Sequence, residues 1–209
     1  MSNIQITENE SGKYSPEWFY NEAQKPEWIA FIRKADTLHE NFINHFGIEH
    51  LKSLSGKELL TSLFYNDKGN KLNLCYVLEM DKDMREIFGS IAGGAAYKFG
   101  LFFHKKTQSW TCGSPAKPVK LTENEAIQKA EEIRNDLVAG AEIISSFGPL
   151  NSTADYEQLY KQLEHISGIN TVWRMKYYHL LFPTLLAPFY GQDIQLKVLH
   201  FLKQNPSSI

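Results

Sequence analysis

The chain has 209 residues and a formal net charge of −2, from 22 Lys plus Arg against 24 Asp plus Glu. It is 43% hydrophobic and 13% aromatic, enough to bury a core and too apolar for wholesale disorder. The near-neutral total excludes a uniform basic coat and a polyacidic tail, while leaving room for a locally polarised surface.

Two cysteines, Cys75 and Cys112, cannot make a disulfide scaffold, and their spacing is not that of a zinc knuckle or redox pair. No stretch reaches the roughly 18 consecutive apolar residues of a membrane span. Met1–Gly12 is polar and acidic, unlike a signal peptide. The expected setting is cytoplasmic, with no membrane partner.

Met1–Lys13 reads as a tail. Ser15-Pro16-Glu17 is a helix start, with a Ser cap, Pro at the first helical position and an acid in the first turn. A second start at Pro26 leads into Trp28, Ile29, Ile32, Ala35, Leu38, Phe42 and Phe46, so a helix is expected from Pro26 to about His45. Ile48 to Phe64 reads as a short helix interrupted near Gly56. Asn66–Asn70 is turn chemistry. Leu72, Leu74, Tyr76 and Leu78 alternate, which predicts a strand over Lys71–Met80. A glycine-rich segment, Gly89–Gly94, precedes an expected hairpin. Its strands are Ala96–His104 and Ser109–Cys112, its tip is Lys105–Gln108, and a loop over Gly113–Pro118 follows.

Thr122-Glu123-Asn124-Glu125 is a capping box, in which the Thr and Glu side chains each satisfy an orphan backbone N–H. Behind it, Ala126, Ala130, Ile133, Leu137, Ala141 and Ile144 form a helical stripe. Gly140 inside that helix costs about 1 kcal/mol relative to Ala and so marks close packing. Gly148-Pro149 ends it. Further helices are expected over about Thr153–Ile166, Thr171–Phe182 and Gln192–Lys203. The fold class read from this order is α+β, a small antiparallel sheet flanked by N-terminal helices and a C-terminal helical lobe. The expected organisation is a tail over 1–13, an α+β domain over 14–150 and a helical lobe over 151–209 packed on it as one unit.

Several chemistries are absent. The histidines at 39, 45, 50, 104, 165, 179 and 200 include no pair three or four apart, so no helical zinc pair exists. Glu79, Asp81 and Asp83 imitate the start of a calcium loop, but Met84 and Ser90 stand where Gly and Glu are needed. None of the 24 acids has Lys two positions on, as a restriction-type nuclease strand requires. Gly56-Lys57 resembles the end of a P-loop, but Leu51 replaces its first Gly and Glu58 its Ser or Thr. There is no Gly-x-Ser-x-Gly elbow. No catalytic residue, metal or cofactor is expected.

What is present is a charge asymmetry. Residues 94–120 carry five Lys and no acid, for a net of +5, whereas residues 121–170 carry a net of −6 and residues 171–209 a net of +3. Lys98, Lys105, Lys106, Lys117 and Lys120 are interleaved with Tyr97, Phe99, Phe102, Phe103 and Trp110. Ammonium groups neutralise phosphates and aromatic faces stack on bases. Alternation along a strand would place Tyr97, Phe99 and Leu101 on one face and Lys98, Gly100 and Phe102 on the other. Phe99, Phe102 and Phe103 suit a core, and Tyr97 and Trp110 suit the exposed ends of the hairpin. Gly93 and Gly94 could offer backbone N–H groups to a phosphate, although a glycine cluster equally suits a tight entry into a hairpin. Trp173, Tyr177 and Leu180 read as a core stripe, and Arg174, Lys176 and Lys203 as a second basic region.

Two stretches carry a resemblance. One is Gly93-Gly94-Ala95-Ala96-Tyr97-Lys98-Phe99-Gly100, with Trp110 beyond it, Leu121–Ala126, and Ile133–Ala141. The other is Trp173-Arg174-Met175-Lys176-Tyr177, with Leu181-Phe182-Pro183 and Pro188-Phe189. Together, over about residues 90–205, they resemble the region preceding the motor in McrB-type AAA+ proteins of modification-dependent restriction and phage-defence systems. The resemblance implies a non-catalytic DNA-recognition domain to which a motor lies C-terminal, with methylated DNA or a modified cytosine among its ligands and the motor and nuclease subunits of a restriction complex as partners. The chain reaches Ile209 without a motor, as an excised module or a stand-alone relative would. The nucleic-acid contacts expected are Tyr97, Lys98, Lys105, Lys106, Trp110, Lys117 and Lys120. A module docking a partner subunit through the acidic helix or the C-terminal lobe is the alternative.

Overall fold

The structure is a computed structural model that describes residues 16–64, 72–91, 96–166, 171–188 and Lys197. The expected tail over 1–13, the Asn66–Asn70 turn, Gly93, Gly94 and the helix over Gln192–Lys203 lie outside the described residues. Two compact units meet in sequence between Asn41 and Phe42.

The first unit contains α1, Pro16–Ala23, and most of α2, Pro26–Phe46. Both helices place Pro at the first helical position, where its missing N–H costs nothing, and an acid in the first turn, where it meets the positive end of the helix dipole. Lys25 Nζ donates to Glu22 Oε1 at 2.7 Å between them. Early in α2 the Trp28 and Phe31 rings meet edge to face at 5.7 Å.

The second unit begins with the buried end of α2, Phe42 and Phe46. Two short helices follow, α3 over Ile48–Ser53 and α4 over Gly56–Leu63. Leu54 and Ser55, both extended, part the two helices, and Gly56, at φ +55, opens α4 in a backbone conformation that L side chains disfavour. Leu51, Leu59, Leu60, Leu63 and Phe64 are buried at helical spacing.

The expected strand over Lys71–Met80 is instead a helix, α5, Leu74–Glu79. Asn73 caps it by accepting from Tyr76 N at 2.9 Å. Leu74, Cys75, Val77 and Leu78 are buried and Leu72 is exposed, so burial follows helical spacing and not the apparent alternation. Asp81, in the segment that imitates a calcium loop, caps the next helix, α6, Lys82–Phe88, by accepting from Met84 N.

The sheet has three antiparallel strands in the order β1-β2-β3: β1 Leu101–His104, β2 Ser109–Ser114 and β3 Lys117–Leu121. Two expectations change here. Ala96–Phe99 is a 3-10 turn, so the first strand starts five residues late. Gly113–Pro118 is no open loop but a hairpin closed at Pro115-Ala116, with β3 beyond it. Gly113, at φ +90, permits that closure: a Cβ there would stand 2.4 Å from Lys117 O.

The capping box forms as expected. Thr122 Oγ1 accepts from Glu125 N and Glu125 Oε2 accepts from Thr122 N, opening α7, Glu123–Ser146. Its six-residue stripe is buried, and it contacts α3, α4, α8 and α9 and all three strands. Arg134 on α7 donates from Nη1 to Leu51 O at 2.9 Å and Leu54 O at 3.0 Å, binding α7 to carbonyls at the end of α3. A second capping box, Ser152 with Asp155, opens α8, Thr153–Leu163, and α9 spans Thr171–Leu181. Trp173 and Tyr177 of α9 are fully buried; Trp173 meets Phe64 and Phe99, and Tyr177 meets Phe42 and donates to Phe46 O at 2.8 Å. The chain is therefore α+β, with helices packed against a small antiparallel sheet.

Candidate nucleic-acid interface

Register sets which side chains share a face. Leu101 lies opposite Cys112, Phe102 opposite Thr111, Phe103 opposite Trp110 and His104 opposite Ser109. Across β2 and β3, Trp110 lies opposite Leu121, Thr111 opposite Lys120, Cys112 opposite Val119 and Ser114 opposite Lys117. Directly opposed residues point the same way. One face thus carries Leu101, Phe103, Trp110, Cys112, Lys117, Val119 and Leu121. The other carries Phe102, His104, Ser109, Thr111 and Lys120.

Trp110 is only 6% exposed and packs edge to face on Phe103 at 5.3 Å, so it belongs to the core and cannot stack on a base. The expectation that it lies open on the hairpin end is overturned. A tryptophan flanked by Phe103 and Leu121 on one sheet face gains more from burial than from display. Tyr97 is half-buried and meets Phe102 edge to face at 4.6 Å. The 3-10 turn therefore brings Tyr97 to Phe102, against the expected alternation that set them on opposite faces.

Lys98 is also not where a phosphate contact needs it. Its ammonium pairs with Glu79, donates to Ile91 O at 2.9 Å and lies 5.1 Å from the centre of the Phe99 ring. Its side chain is only 13% exposed. Lys176, read as part of a second basic region, is fully buried and donates to Leu78 O and Gly89 O, each at 2.7 Å. Burial, reinforced by the nearby positive charge of Arg85, pulls its pKa down to about 8. Arg174 donates to Ile166 O. Two lysines thus grip the entry to the glycine-rich segment by its carbonyls, at residues 89 and 91.

The remaining lysines are exposed. Lys105 and Lys106 occupy the β1–β2 tip, and Lys117 and Lys120 lie on β3, an edge strand. Among the described residues Lys106, Lys117 and Lys120 form no ion pair, whereas Lys25 between α1 and α2, and Lys52, Lys57 and Lys129 on the helices, each pair with a carboxylate. The tip is ordered by its own side chains. His104 Nδ1 lies 2.8 Å from Thr107 Oγ1, Thr107 Oγ1 lies 2.8 Å from Ser109 Oγ, and Gln108 Nε2 donates to Lys105 O at 2.8 Å. Gln108 takes the left-handed conformation, φ 47, that closes the turn. Lys117 and Lys120 leave β3 on opposite faces, so these lysines form a strip along a tip and an edge, not a ring around one pocket. Lys and Pro118 on β3 also discourage pairing with a foreign strand.

No described cluster of three or more His, Cys, Asp or Glu residues could hold a metal. Cys75 is buried, and that burial, with Glu79 beside it, pushes its thiol pKa well up, away from nucleophilic use. A groove of about 380 Å³ is lined by Thr153, Tyr156, Glu157, Tyr160 and Lys161 of α8 and by its C-cap Glu164, with none of its lining in the sheet. No described helix is long and apolar enough to cross a membrane. Compared with family models, curated proteins and solved structures, the chain matches none.

Proposed function

We propose that the chain is a non-catalytic DNA-recognition domain that lays its β1–β2 tip and β3 edge into a groove of the duplex. The observation that carries this reading is the strip Lys105, Lys106, Lys117 and Lys120: exposed, and displayed on a tip and an edge strand that contain no acid. A strand entering the roughly 12 Å major groove meets a phosphate wall on each side. Lysines leaving opposite faces of β3 suit that geometry better than they suit a flat surface. The resemblance to the region before the motor of McrB-type proteins points the same way. In that setting a motor lies C-terminal to the recognition domain and a partner subunit supplies the nuclease.

The reading changes in one respect from the sequence expectation. With Trp110 in the core, recognition rests on phosphate and groove contacts, and an exposed aromatic platform for a modified base is not part of it.

Fluorescence anisotropy with plain and cytosine-methylated duplexes over a salt series tests the proposal. Four phosphate contacts give a slope of about −3 to −4 in log K against log salt. Failure to bind any duplex at low salt sinks the proposal. Tighter binding to the methylated duplex extends it to modified-base reading.

A further inference from the structure

The hydrogen bonds of the β1–β2 tip fix which nitrogen of His104 carries a hydrogen. Thr107 N–H donates both to His104 O and to His104 Nδ1, each at 3.2 Å. A backbone N–H can only donate, so Nδ1 is an acceptor and the ring is the neutral tautomer with its hydrogen on Nε2. Thr107 Oγ1, 2.8 Å from Nδ1, must then donate to it, and Ser109 Oγ, 2.8 Å from Thr107 Oγ1, donates to that hydroxyl. The donors run from Ser109 to Thr107 to His104 across the base of the turn that carries Lys105 and Lys106.

A hydrogen on Nδ1 undoes this order. It sets donor against donor at Thr107 N–H, and Thr107 Oγ1 accepts it only by turning its own hydrogen back toward Ser109. The surroundings give an imidazolium no counter-charge. On its sheet face His104 has Phe102, with ring centres 6.4 Å apart, Ser109 opposite, and Thr111 and Lys120 beyond. Tyr97 of the 3-10 turn lies against Phe102, and Lys105 and Lys106 follow His104 in the chain. Among the described residues no carboxylate pairs with His104.

We propose that His104 is the positioning residue of the tip: as a neutral acceptor it holds the turn that presents Lys105 and Lys106, and protonation loosens that turn. Resting on the DNA reading above, this makes acid weaken duplex binding, the reverse of what an added positive charge does by itself.

Two measurements on the full chain without DNA come first. Nitrogen NMR of the imidazoles at about pH 8 should show His104 carrying hydrogen on Nε2 alone. Trypsin at that pH should cut after Lys105 or Lys106 slowly in the wild type. In His104→Phe, which keeps a ring and loses the acceptor, the cut should be about 10-fold faster, with circular dichroism retained. His104→Asn, whose Oδ1 takes the place of Nδ1, should restore the slow cut. Duplex binding between about pH 8 and 5.5, where imidazoles charge, then reads the switch. The wild type should lose about 10-fold on acidification, and both variants should lack that response, with His104→Phe weaker throughout. An Nδ1–H tautomer at pH 8, equal cleavage of all three proteins, or binding that tightens on acidification in the wild type and not in His104→Asn would each overturn the proposal. The expected tautomer and cleavage pattern in a chain that binds no duplex at any pH would uphold the tip assignment and sink the DNA reading instead.

Discussion

Gly140 of α7 lies directly under the hydroxyl of Tyr178 of α9: a Cβ at residue 140 would stand 1.8 Å from Tyr178 Oη and 2.5 Å from Cζ. The tyrosine is fully buried, and its hydroxyl donates to Asp136 O at 3.4 Å, one turn earlier on α7. The glycine that weakens the helix by propensity is what lets the two helices approach. In an isolated helix Gly140→Ala would gain about 1 kcal/mol. Here it should lower the free energy of unfolding by about 1–3 kcal/mol, the usual cost of overpacking. Adding Tyr178→Phe removes the nearest clashing atom and should recover part of the loss. Urea unfolding of the two single variants and the double variant measures the coupling.

Lys176 gives stability a pH dependence. Its folded pKa is depressed from 10.5 to about 8, so between those values the unfolded chain binds more protons than the folded one. Stability from this residue therefore rises with pH across that window, by on the order of 2–3 kcal/mol. Three groups oppose it at the upper end. Burial raises the pKa of Cys75 above 9.0 and those of Tyr177 and Tyr178 above 10.0, so the unfolded chain loses those protons first and stability falls. The wild type should gain stability from about pH 8 to 9 and then level or decline. Lys176→Met should remove the early rise and keep the later decline. Urea midpoints at half-unit pH steps read this out; identical profiles for both proteins would refute it.

The long helices were legible because their signals are local. Pro at a first position, the Thr122–Glu125 box and the stripe from Ala126 to Ile144 each speak through side chains within a few residues. α5 was misread because Leu72, Leu74, Tyr76 and Leu78 alternate over a stretch too short to separate a period of two from one of 3.6. Asn73, which can cap a helix and is disfavoured within a strand, was the available signal. β3 was missed because Pro118 and two lysines suggest a loop, yet a sheet edge tolerates both.

Trp110 is expected to act on stability and not on recognition. It is nearly sealed against Phe103, so Trp110→Ala should cost about 3–5 kcal/mol by leaving a cavity in the sheet face. Trp110→Phe keeps most of the apolar volume and should fold, with unchanged preference between plain and methylated DNA. A Trp110→Phe protein that folds normally and selectively loses methylated duplex would return Trp110 to the binding surface.

The candidate site was only half legible, because composition reports how many lysines a segment has and not what they touch. Lys98 meets a carboxylate nineteen positions earlier in the chain, and Lys176 meets carbonyls at residues 78 and 89. Such partners arise only when distant elements pack. Lys105, Lys106, Lys117 and Lys120 retained their expected exposure because tips and edges have little to pack against.

That division gives the sharpest test among the lysines. Lys105→Ala/Lys106→Ala removes two exposed charges from an ordered tip and should leave stability within about 0.5 kcal/mol. It should also flatten the salt slope for DNA by about 2. Lys98→Met removes the same kind of charge but leaves Glu79 without its ammonium partner in a mostly buried site. It should lower stability by a few kcal/mol while leaving the salt slope of the folded protein unchanged. The two effects are opposite in kind, so unfolding and binding measured on the same preparations separate them. A salt slope that flattens with Lys98→Met and not with the tip variant would place the phosphate contact at Lys98, and the β1–β2 tip would then have no part in binding.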